Sequence, residues 1–407
     1  MKRSNKNRRL LFICLGLVAM LLLACGKRPT ETPSPTPTEA PTATPEGTPT
    51  PTTRPEPVAD NHEKAADAVK NMVIGWNLGN YFDATGGVKA QNREVSQYLT
   101  QWGNPVVGES LYKKLKDLGF KAVRIPITWN FHFDIATTEL NADWLAEIKK
   151  NVDWALKYDM YVIINVHHDT GADGWIRASV SNYEKCQNRY AQIWKGIAEY
   201  FKDYPDKLIF EGFNEMLDEK SDWNNATADA GKAINLYNQL FVDTVRATGG
   251  NNSGRNLICN TYAAAHGQGV LDAYKVPEDT VKDHIIGQVH FYSPYEFVSD
   301  QGITWTKPIY EYTSYVEKTV DDTIKRIGNA FKKKGIPCII GEFATEDHKN
   351  TEARVKWYSR VVADAKEFGI VCFVWDNGHK YNMGHIDRIG NEDDFPEIID
   401  ACVNAAK

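Results

Sequence analysis

From residue 72 onward, short apolar runs alternate with longer stretches of helical period, and the alternation repeats eight times. MVIGWNLGN is followed by a helical stretch near 106–118, KAVRIPITW by one near 141–158, YVIINVHH by one near 181–202 and LIFEGFNE by one near 231–248. NLICNTY leads into a looser region holding Leu271 to Tyr274. IIGQVHFYSP precedes a helix near 313–333, PCIIGEFAT one near 351–367 and IVCFVWDNG a last one near 395–405. The apolar runs are continuous over four or five residues, the pattern of strands buried on both faces of a parallel sheet. Eight such units over about 340 residues predict an α/β chain folded as a (β/α)8 TIM barrel with some enlarged loops. An open doubly wound sheet is the alternative. It is disfavoured because no strand–turn–helix carries GxGxxG or a phosphate-binding loop, and because polar residues recur at so many strand ends.

The repeat leaves the amino-terminal part of the 407 residues outside the barrel. Five basic residues within the first nine precede LLFICLGLVAMLLLA, which has no charge, so residues 1–24 read as a signal peptide. Fifteen apolar residues are short of the roughly 20 that a membrane span needs. The stretch ends Leu22, Leu23, Ala24, Cys25, which resembles the lipobox of bacterial lipoproteins, where cleavage leaves a lipidated amino-terminal cysteine; an ordinary secretory signal is the alternative. Residues 25–57 contain ten of the 18 prolines, with Thr, Ser, Glu and Ala, and predict a disordered, polyproline-like spacer. The expected product is an extracellular, cell-surface protein whose catalytic domain spans 58–407, acts as a monomer and touches a membrane only through Cys25.

Charge follows the same division. The net −6 of the whole chain becomes −10 for residues 58–407, with 39 basic against 49 acidic side chains. An acidic body without a basic stripe excludes nucleic acid as the leading partner and fits an uncharged ligand. Of the cysteines beyond the spacer, Cys186, Cys259, Cys338, Cys372 and Cys402, three lie in apolar strand-like runs and predict buried small hydrophobes rather than a disulfide framework.

In a barrel the carboxyl ends of all strands converge on one mouth, so residues distant in sequence become neighbours there. Those ends carry Trp76 and Asn77, Arg124 and Trp129, His167 and His168, Asn214 and Glu215, His290 and Tyr292, Glu342, and Trp375 and Asp376. Charged groups are seldom buried unpaired, so this density at one rim predicts chemistry. Glu215 after the fourth strand and Glu342 after the seventh would oppose each other, as cleavage of a glycosidic bond requires: one carboxyl protonates the leaving oxygen and the other attacks the anomeric carbon. Structural pairing of each Glu with a basic residue is the competing reading. The run His167, His168, Asp169 admits a metal site, disfavoured because adjacent strand residues point to opposite sides. No metal or organic cofactor is expected.

FEGFNE, VRIPITW, VIINVHHD, HFYSPY, IIGEF and VWDNG together resemble glycoside hydrolase family 5, in the correct order over roughly residues 60–407. GWNLGNYFDA, WGNP and TGGNN resemble its endoglucanases, xyloglucanases and related β-glucanases. The resemblance implies that Glu215 is the proton donor and Glu342 the nucleophile of a retaining endo-β-1,4-glucanase. Arg124, His167, Asn214, His290, Tyr292 and Trp375 match other residues that the family shares, and Asn77 and His168 are placed with them as binding or support. Arg124 and Tyr292 would keep Glu342 ionised, His290 would exchange a proton with Glu215, Asn214 would bond the sugar 2-hydroxyl, His167 another hydroxyl, and Trp375 would stack on a pyranose. Xyloglucan, mixed-linkage glucan, mannan and xylan are alternative substrates, and a non-catalytic polysaccharide-binding barrel is the alternative of another class. Trp102, Trp175, Trp223 and Trp305 are candidate sugar platforms in loops, whereas Trp144, Trp154, Trp194 and Trp357 have helical context and predict core. One departure concerns the residue after Glu215, which is proline in many relatives and Met216 here.

Overall fold

Eight short parallel strands close on themselves: β1 (Gly75–Asn77), β2 (Ala122–Ile125), β3 (Tyr161–Asn165), β4 (Leu208–Glu211), β5 (Leu257–Asn260), β6 (Ile285–Phe291), β7 (Cys338–Phe343) and β8 (Val371–Val374), each bonded to the next and β8 to β1. The computed structural model describes residues 61–85, 94–171, 174–223, 225–304, 306–390 and 394–407. The signal segment, the spacer, Cys25 and Trp305 lie outside them. The fold is the expected (β/α)8 barrel, and every residue of every strand is buried, which is why the runs are apolar throughout.

Helices follow the strands in the expected order: Glu109–Leu118, Ala142–Lys157, Val180–Tyr200, Ala228–Ala247, Ser314–Lys334, Thr351–Glu367 and Pro396–Ala406, with only the six residues Gln268–Ala273 between β5 and β6. Their starts are set by side chains that cap free backbone donors, as Asn141 accepts from the Trp144 N–H and Thr227 from the Ala230 N–H. Each buries one stripe against the strands. In Ser314–Lys334 that stripe is Val316, Val320, Ile324, Ile327 and Phe331, at the spacing of three and four residues that a helix face requires.

Three helices among the described residues were not expected: the short Val95–Leu99 and Tyr295–Val298, and the longer Ala65–Met72. Ala65–Met72 precedes β1 and buries Ala65, Ala68, Val69 and Met72. These pack with Ala122, Tyr161, Ile163, Ile209, Ile258, Ile286, Ile339, Val371 and Phe373, the inward-facing residues at the amino-terminal ends of the strands. The result is an apolar plug that fills the base of the barrel. Glu63, just upstream, accepts hydrogen bonds from the Tyr161 hydroxyl and Asn71, tying this segment to the base.

The side chains of the remaining inward positions change character towards the mouth. Two residues above the plug in their strands stand Arg124, Asn165, Glu211, Asn260 and Gln288, all buried, with Asn77 from β1. In β7 strict alternation from Ile339 would point Glu342 outward, towards the helices. A register shift prevents this: Val289 of β6 faces Ile340, but His290 faces Glu342, so Gly341 is an extra residue in the ladder. Such a bulge re-aims the side chains that follow. A Cβ there would lie 2.5 Å from the Gln288 side chain, so glycine leaves that buried amide in place. Glu342 thereby enters the barrel mouth, while Phe343 turns out to pack on Trp357 and Tyr358.

The five cysteines of the barrel are free; Cys259, Cys338, Cys372 and Cys402 are buried and Cys186 is half-buried, in line with their reading as packing residues.

Candidate active site

Arg124 is the hub of the mouth. Its guanidinium is fully buried, and its five N–H donors are all used: Nε and Nη2 clamp Glu211 at 2.6 and 2.7 Å, Nη2 also reaches Asn214 Oδ1 at 2.8 Å, and Nη1 serves Asn77 Oδ1 at 3.0 Å and Glu342 Oε1 at 2.7 Å. Glu211 was not singled out from the sequence, yet it is the principal partner of the arginine. Burial pushes its carboxyl up, but the charge and hydrogen bonds of Arg124 outweigh that and leave it below the usual carboxylate range. Asn165 and Asn260 donate to the same carboxylate at 3.1 and 3.4 Å.

This arrangement alters the expectation for Glu342. Since the bidentate fork of Arg124 is spent on Glu211, Glu342 receives one N–H from it, plus the Tyr292 hydroxyl on Oε2 at 2.9 Å. Burial pushes the Glu342 carboxyl up, the nearby Glu215 adds to that, and His290 and Arg124 only pull it part of the way back. The net direction is upward, not downward as the pairing with Arg124 suggested. The reason is burial, which outweighs the combined pull of His290 and of the single N–H that Arg124 offers.

Glu215 lies beyond the last ladder residue of β4, in the turn after Phe213. Its Oε1 is 2.7 Å from His290 Nδ1, and the same nitrogen is 3.5 Å from Glu342 Oε2. Ligand-capable atoms of Glu215, His290 and Glu342 all fall within 4.8 Å of one another. Burial pushes the Glu215 carboxyl up to about 7, against the pull of Arg124 and His168. Burial also pushes the imidazole of His290 down to about 4, so it is neutral near pH 7 and the Glu215–His290 pair shares one proton. The two carboxyls therefore sit in environments that hold one protonated and let the other ionise first, the condition for an acid and a nucleophile in one cleft.

The rim residues are oriented by their neighbours. The side-chain oxygen of Asn165 accepts from the Ile127 N–H at 2.9 Å, so its amino group faces His167 and donates to Nδ1 at 3.0 Å. That fixes the neutral tautomer of His167 with its proton on Nε2, a donor suited to a hydroxyl rather than a metal ligand. His168 donates from Nδ1 to the Asp83 carbonyl at 2.6 Å. The two histidine rings lie 4.5 Å apart, so they do not point to opposite sides as strand alternation implied; β3 has ended at Asn165 and both belong to the turn beyond it. Asp169 points elsewhere, accepting from the Trp129 N–H and the Trp175 indole. Trp375 stacks parallel to His167 with ring centroids 6.0 Å apart, and its ring passes so close to Gly79 that a Cβ there would lie 2.7 Å from it. Asn214, with Oδ1 held by Arg124, keeps its amino group as the remaining donor.

A polar cleft of this kind has known counterparts. Residues 85–381 match the family model described as Cellulase (glycosyl hydrolase family 5). The chain is 34% identical over 363 residues to Endoglucanase A of Clostridium longisporum, covering 86% of this chain and 68% of that protein. The chain belongs to glycosyl hydrolase family 5. Among solved structures, a variant of PbGH5A, a family 5 enzyme from Prevotella bryantii B14, in complex with a xyloglucan tetradecasaccharide, superposes with a TM-score of 0.78 at 34% identity, covering 86% of this chain and 100% of that one. A family 5 lichenase variant from Caldicellulosiruptor sp. F32 with cellotetraose gives 0.78 at 35% identity, covering 87% and 100%.

This family 5 glycoside hydrolase thus brings Arg124, His167, His168, Asn214, Glu215, His290, Tyr292, Glu342 and Trp375 to the mouth, whereas Trp129 is buried with its indole donating to the Asn165 carbonyl. Asn77 is fully buried and spends its amide on Gly341, Phe373 and Val374 carbonyls and on Arg124, so it supports the hub and does not face the cleft. Asp376 and Trp76 leave the group as well. The Asp376 carboxylate accepts from the Trp76 indole, the His385, Ile386 and Gly378 N–H groups and Arg388, which anchors the loop after β8. Trp144, Trp194 and Trp357 are core and Trp154 is half-buried against it, as expected. Trp102 is tied by its indole to the Thr85 carbonyl and Trp175 to Asp169, whereas Trp223 is 51% exposed.

Proposed function

We propose that the protein is a retaining endo-β-1,4-glucanase in which Glu215 is the acid/base and Glu342 the nucleophile. The carrying observation is the approach of the two carboxyls, whose nearest oxygens lie within 4.8 Å. Retaining glycosidases hold their carboxyls about 5–5.5 Å apart, and inverting ones about 6.5–9.5 Å to admit a water between them. In the first step Glu215 gives its proton to the glycosidic oxygen while Glu342 bonds to the anomeric carbon and the C–O bond breaks. In the second, Glu215 takes a proton from water, which attacks the same carbon and releases Glu342. His290 accompanies the proton on Glu215; Arg124 and Tyr292 hold Glu342 in line. Asn214 and His167 offer donors to sugar hydroxyls and Trp375 offers an apolar face to a ring.

Similar proteins that carry the names endoglucanase and lichenase, and those crystallised with xyloglucan and cellotetraose, support a neutral β-glucan as substrate. A cleft whose arginine is fully neutralised by carboxylates suits an uncharged polymer. Proton NMR of the first products from a soluble β-glucan is expected to record the β-anomer, followed by mutarotation. Initial appearance of the α-anomer would overturn the double displacement.

We further propose that residues 1–24 direct export and that Cys25 carries lipid, with 25–57 as the tether of a monomeric catalytic domain. The motif Leu22, Leu23, Ala24, Cys25 supports this reading. In a bacterial host, Cys25→Ala is expected to move activity from the membrane fraction to the soluble exported fraction. Unchanged membrane association would refute lipid anchoring.

A further inference from the structure

We propose that Asp300, Glu346 and His348 form a site for a divalent transition-metal ion of the zinc type, which clasps the loops that follow β6 and β7. One imidazole nitrogen and two carboxylates offer ligand atoms all within 4.8 Å of one another, on loops that follow two neighbouring strands.

The geometry around Glu346 favours an ion over a simple ion pair. Glu346 is 5% exposed, yet among the described residues no lysine or arginine pairs with it. Its Oε1 is held by two side-chain amides, those of Gln301 and Asn382. Its Oε2 receives only the Asp300 N–H at a long 3.4 Å and looks towards His348 Nε2 at 3.7 Å. His348 Nδ1 is 3.8 Å from Asp300 Oδ2. Both distances exceed a hydrogen bond. A separation of 3.7 Å is, however, within the reach of two ligands about 2.0–2.2 Å from one ion, across an angle of roughly 115–135°. An imidazole with two carboxylates suits zinc and its neighbours better than calcium or magnesium, which take oxygen ligands. Water would complete the coordination.

The loops are already positioned for such a clasp. The Glu346 N–H donates to the Val298 carbonyl at 2.8 Å, and Asn350 donates to the Tyr310 carbonyl at 2.8 Å. Tyr310 donates from its hydroxyl to Asp300 at 3.3 Å and lays its ring 5.0 Å from His348. Beside His348 lies a cavity of about 290 Å³ lined by Tyr310, Asp347, His348 and Lys349. The site stands apart from Glu215, His290 and Glu342, though Glu346 follows the proposed nucleophile by four residues along the chain.

Zinc chloride added to chelator-treated, full-length protein is expected to raise the thermal unfolding midpoint by several degrees, since a ligand that binds only the folded state stabilises it. His348→Asn, at a partly exposed loop position, and Glu346→Gln should both abolish the rise. Glu215→Gln should keep it, which separates this site from the catalytic cluster, where zinc could also lodge. Cobalt should give a visible absorption band in the wild type that His348→Asn loses. If Glu346→Gln does not fold, His348→Asn alone decides. No rise in the wild type, an undiminished rise in His348→Asn, or a rise lost only in Glu215→Gln would each overturn the proposal.

Discussion

Glu342→Gln is expected to lower kcat on β-glucan by roughly 10⁴-fold or more, because no covalent intermediate can form without the carboxylate and the remaining groups only bind and orient. The substitution keeps the volume of the side chain, and Arg124 retains its fork on Glu211, so the fold should stand. Stability gives an independent check with a definite sign. Burial raises the Glu342 carboxyl above its unfolded value, so the native state prefers it protonated and loses stability as pH rises from the unfolded towards the folded value. Glutamine removes that penalty. The variant should therefore melt at or above the wild-type temperature near pH 7 and lose this advantage at low pH. Substantial residual turnover, or a marked drop in melting temperature at neutral pH, would contradict the role given to Glu342.

Glu215→Gln is expected to slow hydrolysis of the polysaccharide by about 10²–10⁴-fold, the usual worth of a positioned proton donor. A glycoside with a good phenolic leaving group needs no proton to depart, so its first step should suffer far less. The pH profile should change in a way that a merely structural role would not produce. With the Glu215 carboxyl at about 7, wild-type kcat/KM should fall on the alkaline side near that pH, as the acid is lost, and on the acidic side as Glu342 is protonated. The two carboxyls lie close enough to titrate as a pair, so both limbs belong to the couple. In Glu215→Gln the alkaline limb should vanish. Its persistence would assign the limb to another group.

How much of this was legible in the residues follows from what a linear pattern can encode. The barrel was legible because strands buried on both faces must be apolar throughout, and eight such runs between helical periods leave few architectures. Glu215 and Glu342 were legible because ionisable groups at the ends of those runs are costly unless they serve a purpose. The direction in which Glu342 points was not. IIGEF has no mark that distinguishes a bulge at Gly341 from an ordinary glycine, and the side chain that a Cβ there would crowd, Gln288, comes from another strand. Glu211 was visible as a charge inside LIFEGF and could have been found by asking what neutralises it; only the three-dimensional clamp reveals that it takes most of Arg124. The base helix carried its own signal, since Ala65, Ala68, Val69 and Met72 recur at helical spacing. The closeness of His167 and His168 depended on β3 ending at Asn165, before either histidine.

The apolar plug at the amino-terminal end has a consequence for traffic. With Met72, Tyr161 and Phe373 among the side chains that fill it, the barrel is a vessel with one opening, and nothing can pass along its axis. A polymer must be laid across the mouth, be cut where it crosses the proposed pair Glu215 and Glu342, and leave as two pieces by the face through which it arrived.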